Sequence, residues 1–194
     1  MASYATIGEL KEALDKVTSG DDTILQLALD GATAFINEQT RRRFDQTTEA
    51  RTLDGNGERR IVVPDLVSVT ALTLAPATAG APVALAVSDY YLGPASDGSG
   101  RPYRWIDLSI AGAYAGWYQG QRTVSITGVW GWPAVPADIK MVCISLAARF
   151  WKSSQAGFSD AIGMDESSGT VLFSKQMTSW DRQVLKGYRR LSIV

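Results

Sequence analysis

Residues 122–139 read RTVSITGVWGWPAVPADI and contain the change from strand to helix that decides the fold. Val124 and Ile126 alternate with polar residues, which is the period-two pattern of a half-buried β-strand. Two prolines then end this pattern, and the second, Pro136, suits the first position of a helix, where a missing N–H is not needed. Asp138 adds a carboxylate where a helix N-terminus favours negative charge. The stretch therefore predicts a strand followed at once by a helix.

Helical periodicity is present on both sides of this junction. Apolar residues recur at spacings of three and four after the junction, which predicts helices over about 136–152 and about 175–188. The first part of the chain predicts two more helices within about 6–42, the first opened by the capping box of Thr6 and Glu9. The predicted core shared by these four helices consists of Leu14, Leu25, Phe35, Val142, Leu146, Phe150 and Val184.

Short β-rich segments replace the helical pattern over about 49–130. Residues 49–53 and 59–63 flank Asp-Gly and Asn-Gly steps, which favour hairpin turns and predict that these two segments pair. Further strands are predicted at 66–74, 83–87, 90–92, 104–110 and 122–129. The predicted fold is α+β, with a small four-helix core and an antiparallel β-rich insertion between the second and third helices. We expect a single domain over residues 1–194 with a C-terminal tail at 189–194.

The composition is that of an ordinary globular protein. Of the 194 residues, 45% are hydrophobic and 20% charged, which suffices for a core and excludes a disordered chain. The most apolar stretch is interrupted by Lys140 and Arg149, so no membrane span is predicted. No secretory signal is recognisable, and the one cysteine fits a reducing compartment, so we expect synthesis in the cytoplasm.

Catalytic chemistry has little basis in this sequence. There is no histidine, which removes the commonest general base and metal ligand. Cys143 falls on an apolar helical stripe, where a buried core thiol is expected rather than a nucleophile. No phosphate-binding glycine motif and no zinc ligand set is present. Asp160, Asp165 and Glu166 lack calcium-loop spacing and are expected to solvate a loop. We predict a protein that is not an enzyme and has no cofactor and no metal.

Charge is unevenly distributed although the net charge is only −1. Residues 1–30 carry six acids and two lysines, whereas residues 175–194 carry five basic residues and one acid. These segments could pair within one chain or head to tail between copies, or they could be solvated helix faces. The arginines at 41–43, together with Arg59 and Arg60, could contact phosphates. The favoured interpretation is that residues 41–43 end a helix and that Arg59 and Arg60 lie on a charged strand edge. The tryptophans could be platforms on which the bases of a single-stranded nucleic acid stack, but packing in the core or at an interface is the favoured interpretation.

Six short strings occur in order along the chain. They are residues 4–25, Arg42-Arg43-Phe44, residues 64–70 (PDLVSVT), residues 124–132 (VSITGVWGW), residues 135–139 (VPADI) and residues 185–190. Together they resemble the head-tail connector (adaptor) proteins of tailed bacteriophages over essentially the whole chain. The strand-to-helix junction at 124–139 is the most specific part of this resemblance.

The resemblance implies a structural role in a virion neck, assembled in the bacterial host cytoplasm. Such adaptors form a ring, commonly of twelve copies, below the portal protein, where they extend the DNA channel and dock the stopper or tail. It therefore implies three kinds of partner: the portal protein, a stopper or tail-completion protein, and further copies of this chain. Double-stranded DNA would pass through the channel without specific binding. A stopper or tail-completion protein of the same virion, and an aromatic-rich ligand-binding module, remain alternatives.

Three sets of candidate site residues follow from this role. The C-terminal segment is the predicted portal contact: Tyr188, Arg189, Arg190, Leu191, Ile193 and Val194. The predicted channel-facing residues are the acids of the first helix: Glu9, Glu12 and Asp15. The Ser/Gly/Asp-rich stretch 153–169 is predicted to be a mobile loop that becomes ordered against the ring or tail: Ser153, Gly157, Phe158, Asp160, Asp165 and Gly169.

Overall fold

The computed structural model describes residues 2–15, 20–75, 80–95, 100–155 and 177–190. The chain divides into two compact units, a helical unit of residues 1–42 and 135–194 and a sheet unit of residues 43–134. The described residues form four α-helices and a six-stranded antiparallel sheet. The α+β class is therefore confirmed, and the strands lie between the second and third helices as predicted. The single-domain organisation stays a prediction.

The helical unit contains α1 (Ile7–Ala13), α2 (Asp22–Thr40), α3 (Ala137–Gln155) and α4 (Ser179–Tyr188). The predicted capping box opens α1. Thr6 Oγ1 accepts from Glu9 N at 3.2 Å, and the Glu9 carboxylate accepts from Thr6 N at 2.8 Å. Both bonds satisfy N–H groups that a helix start leaves without partners, which explains why the chain turns helical there.

The buried face of α2 packs against α3. Leu25 and Val142 are buried as predicted, and Leu14, Leu146 and Val184 are half-buried. Phe35 and Phe150 are wrong as core predictions, because their side chains are 36% and 44% exposed. The buried residues of the two helices are instead Leu25, Ala28, Leu29, Ala32, Thr33, Ile36, Thr40, Ile139, Val142, Cys143 and Ala147.

The C-terminus of α2 differs from the prediction. The helix ends at Thr40, and Arg41 takes the left-handed conformation with φ +52°, so the last turn contains no cation. Arg42 Nε instead donates to the carbonyl of Tyr188 at 2.6 Å, at the end of α4. The cations therefore lie beyond the helix end and not in the last turn, where they would complement the helix dipole.

The start of α4 depends on a buried acid. Thr178 caps the helix, and Asp181 N donates to Thr178 Oγ1 at 3.0 Å while the Asp181 carboxylate accepts from Thr178 N at 3.0 Å. Asp181 is 1% exposed, and Arg149 of α3 lies 3.0 Å from its Oδ2. A buried carboxylate needs such partners because losing water is costly.

Asp181→Ala is expected to destabilise the protein by about 2–4 kcal/mol, because it removes half of a capping box and the buried carboxylate that pairs with Arg149. Urea unfolding followed by circular dichroism measures the change. Asp181→Asn is the matched control, since it retains the shape and an accepting oxygen, and we expect it to cost less than half as much. Equal losses for the two variants would contradict the role of the charge.

The sheet unit contains β1 (Thr47–Gly55), β2 (Arg60–Leu74), β3 (Val83–Ala84), β4 (Tyr90–Gly93), β5 (Tyr103–Leu108) and β6 (Gly120–Trp130). The strand order is β1-β6-β2-β5-β4, with β3 beside β2, and every pair is antiparallel. The alternating residues Val124 and Ile126 of β6 are fully buried. They belong to a cluster with Leu66, Leu72, Leu74, Ile106, Trp117 and Trp130.

The predicted hairpin between residues 49–53 and 59–63 is wrong. Those residues lie in β1 and β2, but β6 lies between these strands and pairs with both. Residues 59–63 and 66–74 also belong mostly to one long strand, β2, instead of two. The predicted strand at 83–87 is only two residues long and is followed by a 3₁₀ turn at Val87–Asp89. The turn residues at 54–57 indicate a chain reversal, but pairing with the distant strand β6 determines which strands lie side by side.

Candidate interaction surfaces

The described part of the predicted portal contact is tied to the helical unit. Tyr188 donates its hydroxyl to Asp138 Oδ1 at 3.0 Å. Arg190 N donates to the carbonyl of Thr40 at 2.8 Å, which satisfies an oxygen left open at the end of α2. Arg189 is exposed. These contacts bring together the ends of α2 and α4 and the start of α3.

The remaining residues of that segment, Leu191, Ile193 and Val194, lie outside the described residues. Whether the tail binds a partner stays a prediction.

The three acids predicted to face a channel lie on or next to α1, with different surroundings. Glu12 and Asp15 are exposed. Glu9 is half-buried, and its Oε1 accepts from Lys140 Nζ of α3 at 2.8 Å. The hydrogen bond from Lys140 and the capping bond from Thr6 N lower the pKa of Glu9 from 4.5 to about 2. Glu9 therefore holds α1 to α3, whereas Glu12 and Asp15 remain available for a role at the surface.

Glu9→Gln is expected to lower stability at pH 7. A carboxylate whose pKa falls on folding stabilises the folded state above its unfolded pKa of about 4.5, and this stabilisation disappears as the pH falls towards about 2. The difference between the wild-type chain and Glu9→Gln should therefore be constant from pH 7 to about 5.5 and shrink below pH 4.5. Urea midpoints measured at several pH values test this, with Glu12→Gln as the exposed control. A difference that persists unchanged at pH 3 would contradict it.

The predicted mobile loop is mostly outside the described residues. Gly157, Phe158, Asp160, Asp165 and Gly169 fall in that part, and only Ser153 is described. Ser153 belongs to the last turns of α3, which ends at Gln155, so the helix continues beyond the predicted boundary at 152.

An apolar groove lies on the helical unit beside α2 and α3. Its volume is about 500 Å³, and it is lined by Ala28, Gly31, Ala32, Phe35, Leu146, Arg149, Phe150, Ser153 and Met177. The exposed Phe35 and Phe150 belong to its lining, and the small residues of α2 opposite leave room between the helices. Sequence periodicity assigned these two rings to the core because both lie beside the buried stripe of their helix.

Three of the six tryptophans are buried in the sheet unit and bonded to the backbone or to a buried acid. The indole N–H of Trp117 donates to Arg59 O at 2.9 Å, and that of Trp130 donates to Glu49 O at 3.0 Å. Trp132 donates to Asp65 Oδ2 at 3.2 Å. Packing, the favoured interpretation, is confirmed for these three, since a buried ring offers no open face for a base or sugar.

The arginines that could have contacted phosphates bind groups of the chain itself. Arg43 pairs with Asp45 at 2.6 Å, Arg59 donates to the carbonyl of Ser109 at 2.8 Å, and Arg60 binds both oxygens of Asp107 at 2.7 and 2.8 Å. The Arg60 guanidinium also lowers the pKa of the Asp107 carboxyl. These contacts favour the structural interpretation of the basic cluster.

Cys143 is buried, and its sulfur lies 3.6 Å from Thr33 Oγ1. Burial raises the pKa of the thiol, as expected for a core cysteine. No group of three acidic, cysteine or histidine side chains that could hold a metal occurs among the described residues. Within the same residues, no helix has the length and apolar character needed to cross a membrane.

One surface cluster on the sheet unit was missed by the sequence analysis. The Arg60 guanidinium lies 4.8 Å from the ring centre of Trp105, and Arg104 lies 5.8 Å from the same ring. The pairing of Arg60 with Asp107 and of Val62 with Trp105 across β2 and β5 creates this cluster. Nothing local in the sequence indicates that register, because the strands are about forty residues apart.

The fold of the chain is similar to that of a known particle component. A chain from the neck of an empty GTA particle, whose structure was computed with C6 symmetry, superposes with a TM-score of 0.55. The match covers 97% of this chain and 90% of the other, at 19% sequence identity. At that identity the likeness shows a shared fold. No protein-family profile matches the chain, and no curated protein sequence matches it.

Proposed function

We propose that this chain is a structural subunit of the neck of a phage-like particle, and specifically a head-tail adaptor that forms a ring below the portal. The observation that carries the proposal is the fold likeness to a neck component across 97% of the chain. Independent support comes from the sequence strings at 64–70, 124–139 and 185–190, because they resemble adaptors in sequence rather than in shape. The proposal assigns no catalytic step and no cofactor to the chain.

The charge distribution suits a protein that lines or borders a DNA channel. A net charge of −1 avoids the tight phosphate binding that would slow the passage of DNA. The exposed acids Glu12 and Asp15 are the candidates for the channel side, since carboxylates repel the phosphates of a moving duplex. Glu9, which is bonded to Lys140, is a weaker candidate.

The portal protein is the proposed partner of the C-terminal segment. Arg189 is exposed next to the end of α4, and a guanidinium matches the geometry of a partner carboxylate. The stopper or tail is the proposed partner on the opposite side of the ring. A stopper or tail-completion role is the alternative within the same particle, because a likeness to a neck component does not distinguish the two positions.

Cryo-electron microscopy of particles from the source strain tests the proposal. An adaptor contacts the portal protein directly, whereas a stopper contacts the tail side, so the map separates the two. Co-purification of the tagged chain with portal protein from the same particle gives a second measurement. Absence of the chain from purified particles would sink both versions.

The isolated chain is expected to be mainly monomeric or weakly associated at micromolar concentration. Six of the twelve described charges in its two end segments, residues 1–30 and 175–194, are exposed, and an exposed ion pair contributes only about 0–1 kcal/mol in physiological salt. A ring then requires the portal as a template, where neighbouring copies raise one another's effective concentration. Light scattering coupled to size exclusion tests this, with the 20.9 kDa chain as reference. A salt-resistant ring without portal would contradict it.

A further inference from the structure

The sheet of the sheet unit ends in two different strands. Among the described residues, β1 pairs only with β6, and β4 pairs only with β5. Each end strand therefore has one edge whose N–H and C=O groups face no strand in the part of the chain that the structure describes. Such an edge is a template for pairing with another chain unless it is protected.

The β1 edge has only part of the usual protection, in the form of charged side chains and an irregularity between Leu53 and Gly55. The strand is nine residues long, and its register with β6 runs without interruption from Thr47 to Leu53. It contains neither proline nor lysine, the residues that commonly prevent strand addition. Ala50 and Thr52 are exposed and small, so a neighbouring strand could approach them closely.

The surface beside β4 carries the residue types that dominate protein interfaces. Tyr91 is 64% exposed and Val62 is 51% exposed, and both lie next to the half-buried Trp105. The Trp105 indole lies directly over Gly93, where a Cβ would approach its Nε1 to 2.0 Å. Arg60, held by Asp107, covers the ring. Tryptophan and arginine held in place in this way lose little entropy on binding, and an exposed tyrosine adds a large amphipathic contact surface.

The two ends of the sheet also differ in charge. Arg101 and Arg104 are exposed near β4, in addition to the neutral pair of Arg60 and Asp107. The β1 strand carries Glu49 and Asp54 against Arg51, so its net charge is negative. Opposite charges on two different surfaces favour contact between unlike ends over contact between like ends.

We propose that β1 of one copy docks against β4 and the exposed cluster of Tyr91, Val62 and Trp105 of the next copy. The inference rests on the proposed ring function and names the surfaces that join neighbouring subunits. Because the two surfaces differ, the contact is head to tail, and repeating it from copy to copy closes a ring when the rotation allows. The pairing adds backbone hydrogen bonds to a cluster of side-chain contacts.

Mixed cross-linking of chains that each carry one introduced, exposed cysteine tests the proposal. One batch carries Thr52→Cys in β1 with a size tag, and the other carries Ser88→Cys in the 3₁₀ turn that precedes β4; both positions are exposed. The native Cys143 is buried and does not compete. The two batches are mixed at millimolar concentration with a short bismaleimide, so that even a weak contact accumulates product. The tag separates the mixed product from the two products of like chains.

The expected result is a mixed product in excess of both like-chain products. Adding Tyr91→Glu to the Ser88→Cys chain should reduce the mixed product roughly tenfold or more, as expected for loss of a central interface residue. Arg104→Glu is the second variant, with circular dichroism confirming that each variant folds. A mixed product no greater than the like-chain products overturns the proposal. The proposed function fails separately, if the chain is absent from particle necks while the mixed product still forms.

Discussion

Gly131→Ala is expected to destabilise the sheet unit by about 3–5 kcal/mol, among the largest effects of a single substitution. Gly131 has φ +104°, and a Cβ there would lie 2.0 Å from the carbonyl oxygen of Asp45. The residue cannot move away easily, because its N–H donates to the carbonyl of Asp65 at 2.8 Å. Urea unfolding monitored by tryptophan fluorescence measures the loss, since the buried Trp130 and Trp132 flank the substituted position.

Gly100→Ala is the matched control for this prediction. Gly100 also has a positive φ, +66°, but a Cβ there would meet nothing within 4 Å. Its cost should therefore be limited to the left-handed backbone conformation, about 1–2 kcal/mol. The difference between the two variants measures the clash with Asp45 together with the additional strain of φ +104°. If the two substitutions cost the same, the close approach of the Gly131 backbone is not the cause.

The strand-to-helix junction was predictable because its determinants are local. Val124 and Ile126 alternate with polar residues within one strand, and Asp138 falls in the first turn of α3 as its charge indicates. The same holds for the capping box of Thr6 and Glu9, where a span of four residues contains the whole interaction. Local chemistry of this kind does not depend on which elements later become neighbours.

Strand order was not predictable from the same reasoning. The Asp-Gly and Asn-Gly steps at 54–57 indicate a reversal between β1 and β2, but both strands pair antiparallel with β6 and therefore run in the same direction. The neighbour of both strands is β6, about seventy residues from β1, because Val124 and Ile126 complete the buried cluster only from that central position. Burial of the whole sheet face outweighs the closure of a short turn.

The candidate surfaces were likewise predictable only where their determinants are local. Exposure of Glu12, Asp15 and Arg189 follows from helical position and charge, and the structure agrees with it. The groove beside Phe35 and Phe150 and the cluster around Trp105 depend on which helix or strand lies opposite. No single stretch of sequence contains that information, so periodicity alone placed both phenylalanines in the core.

Removing the last four residues is expected to abolish co-purification with portal protein while leaving the fold intact. The structure shows where to cut: Arg190 N donates to the Thr40 carbonyl at the end of α2, so a chain ending at Arg190 keeps this bond. Residues 191–194 read LSIV, whose apolar residues at alternating positions suit an extended peptide that adds to a partner surface. Pull-down with immobilised portal protein measures the effect.

Two further variants distinguish the contribution of the tail's side chains from that of its attachment to the end of α2. Deleting residues 189–194 removes the Arg190 bond as well, so it should lower the melting temperature, whereas the shorter deletion should leave melting and helical circular dichroism unchanged. Arg189→Glu keeps every apolar residue and reverses one exposed charge, which should weaken portal binding through the partner carboxylate alone. Because a ring multiplies each weak contact, small changes per subunit become large losses of the assembled complex. Normal portal binding by the chain ending at Arg190 would move the contact to the exposed faces of α3 and α4.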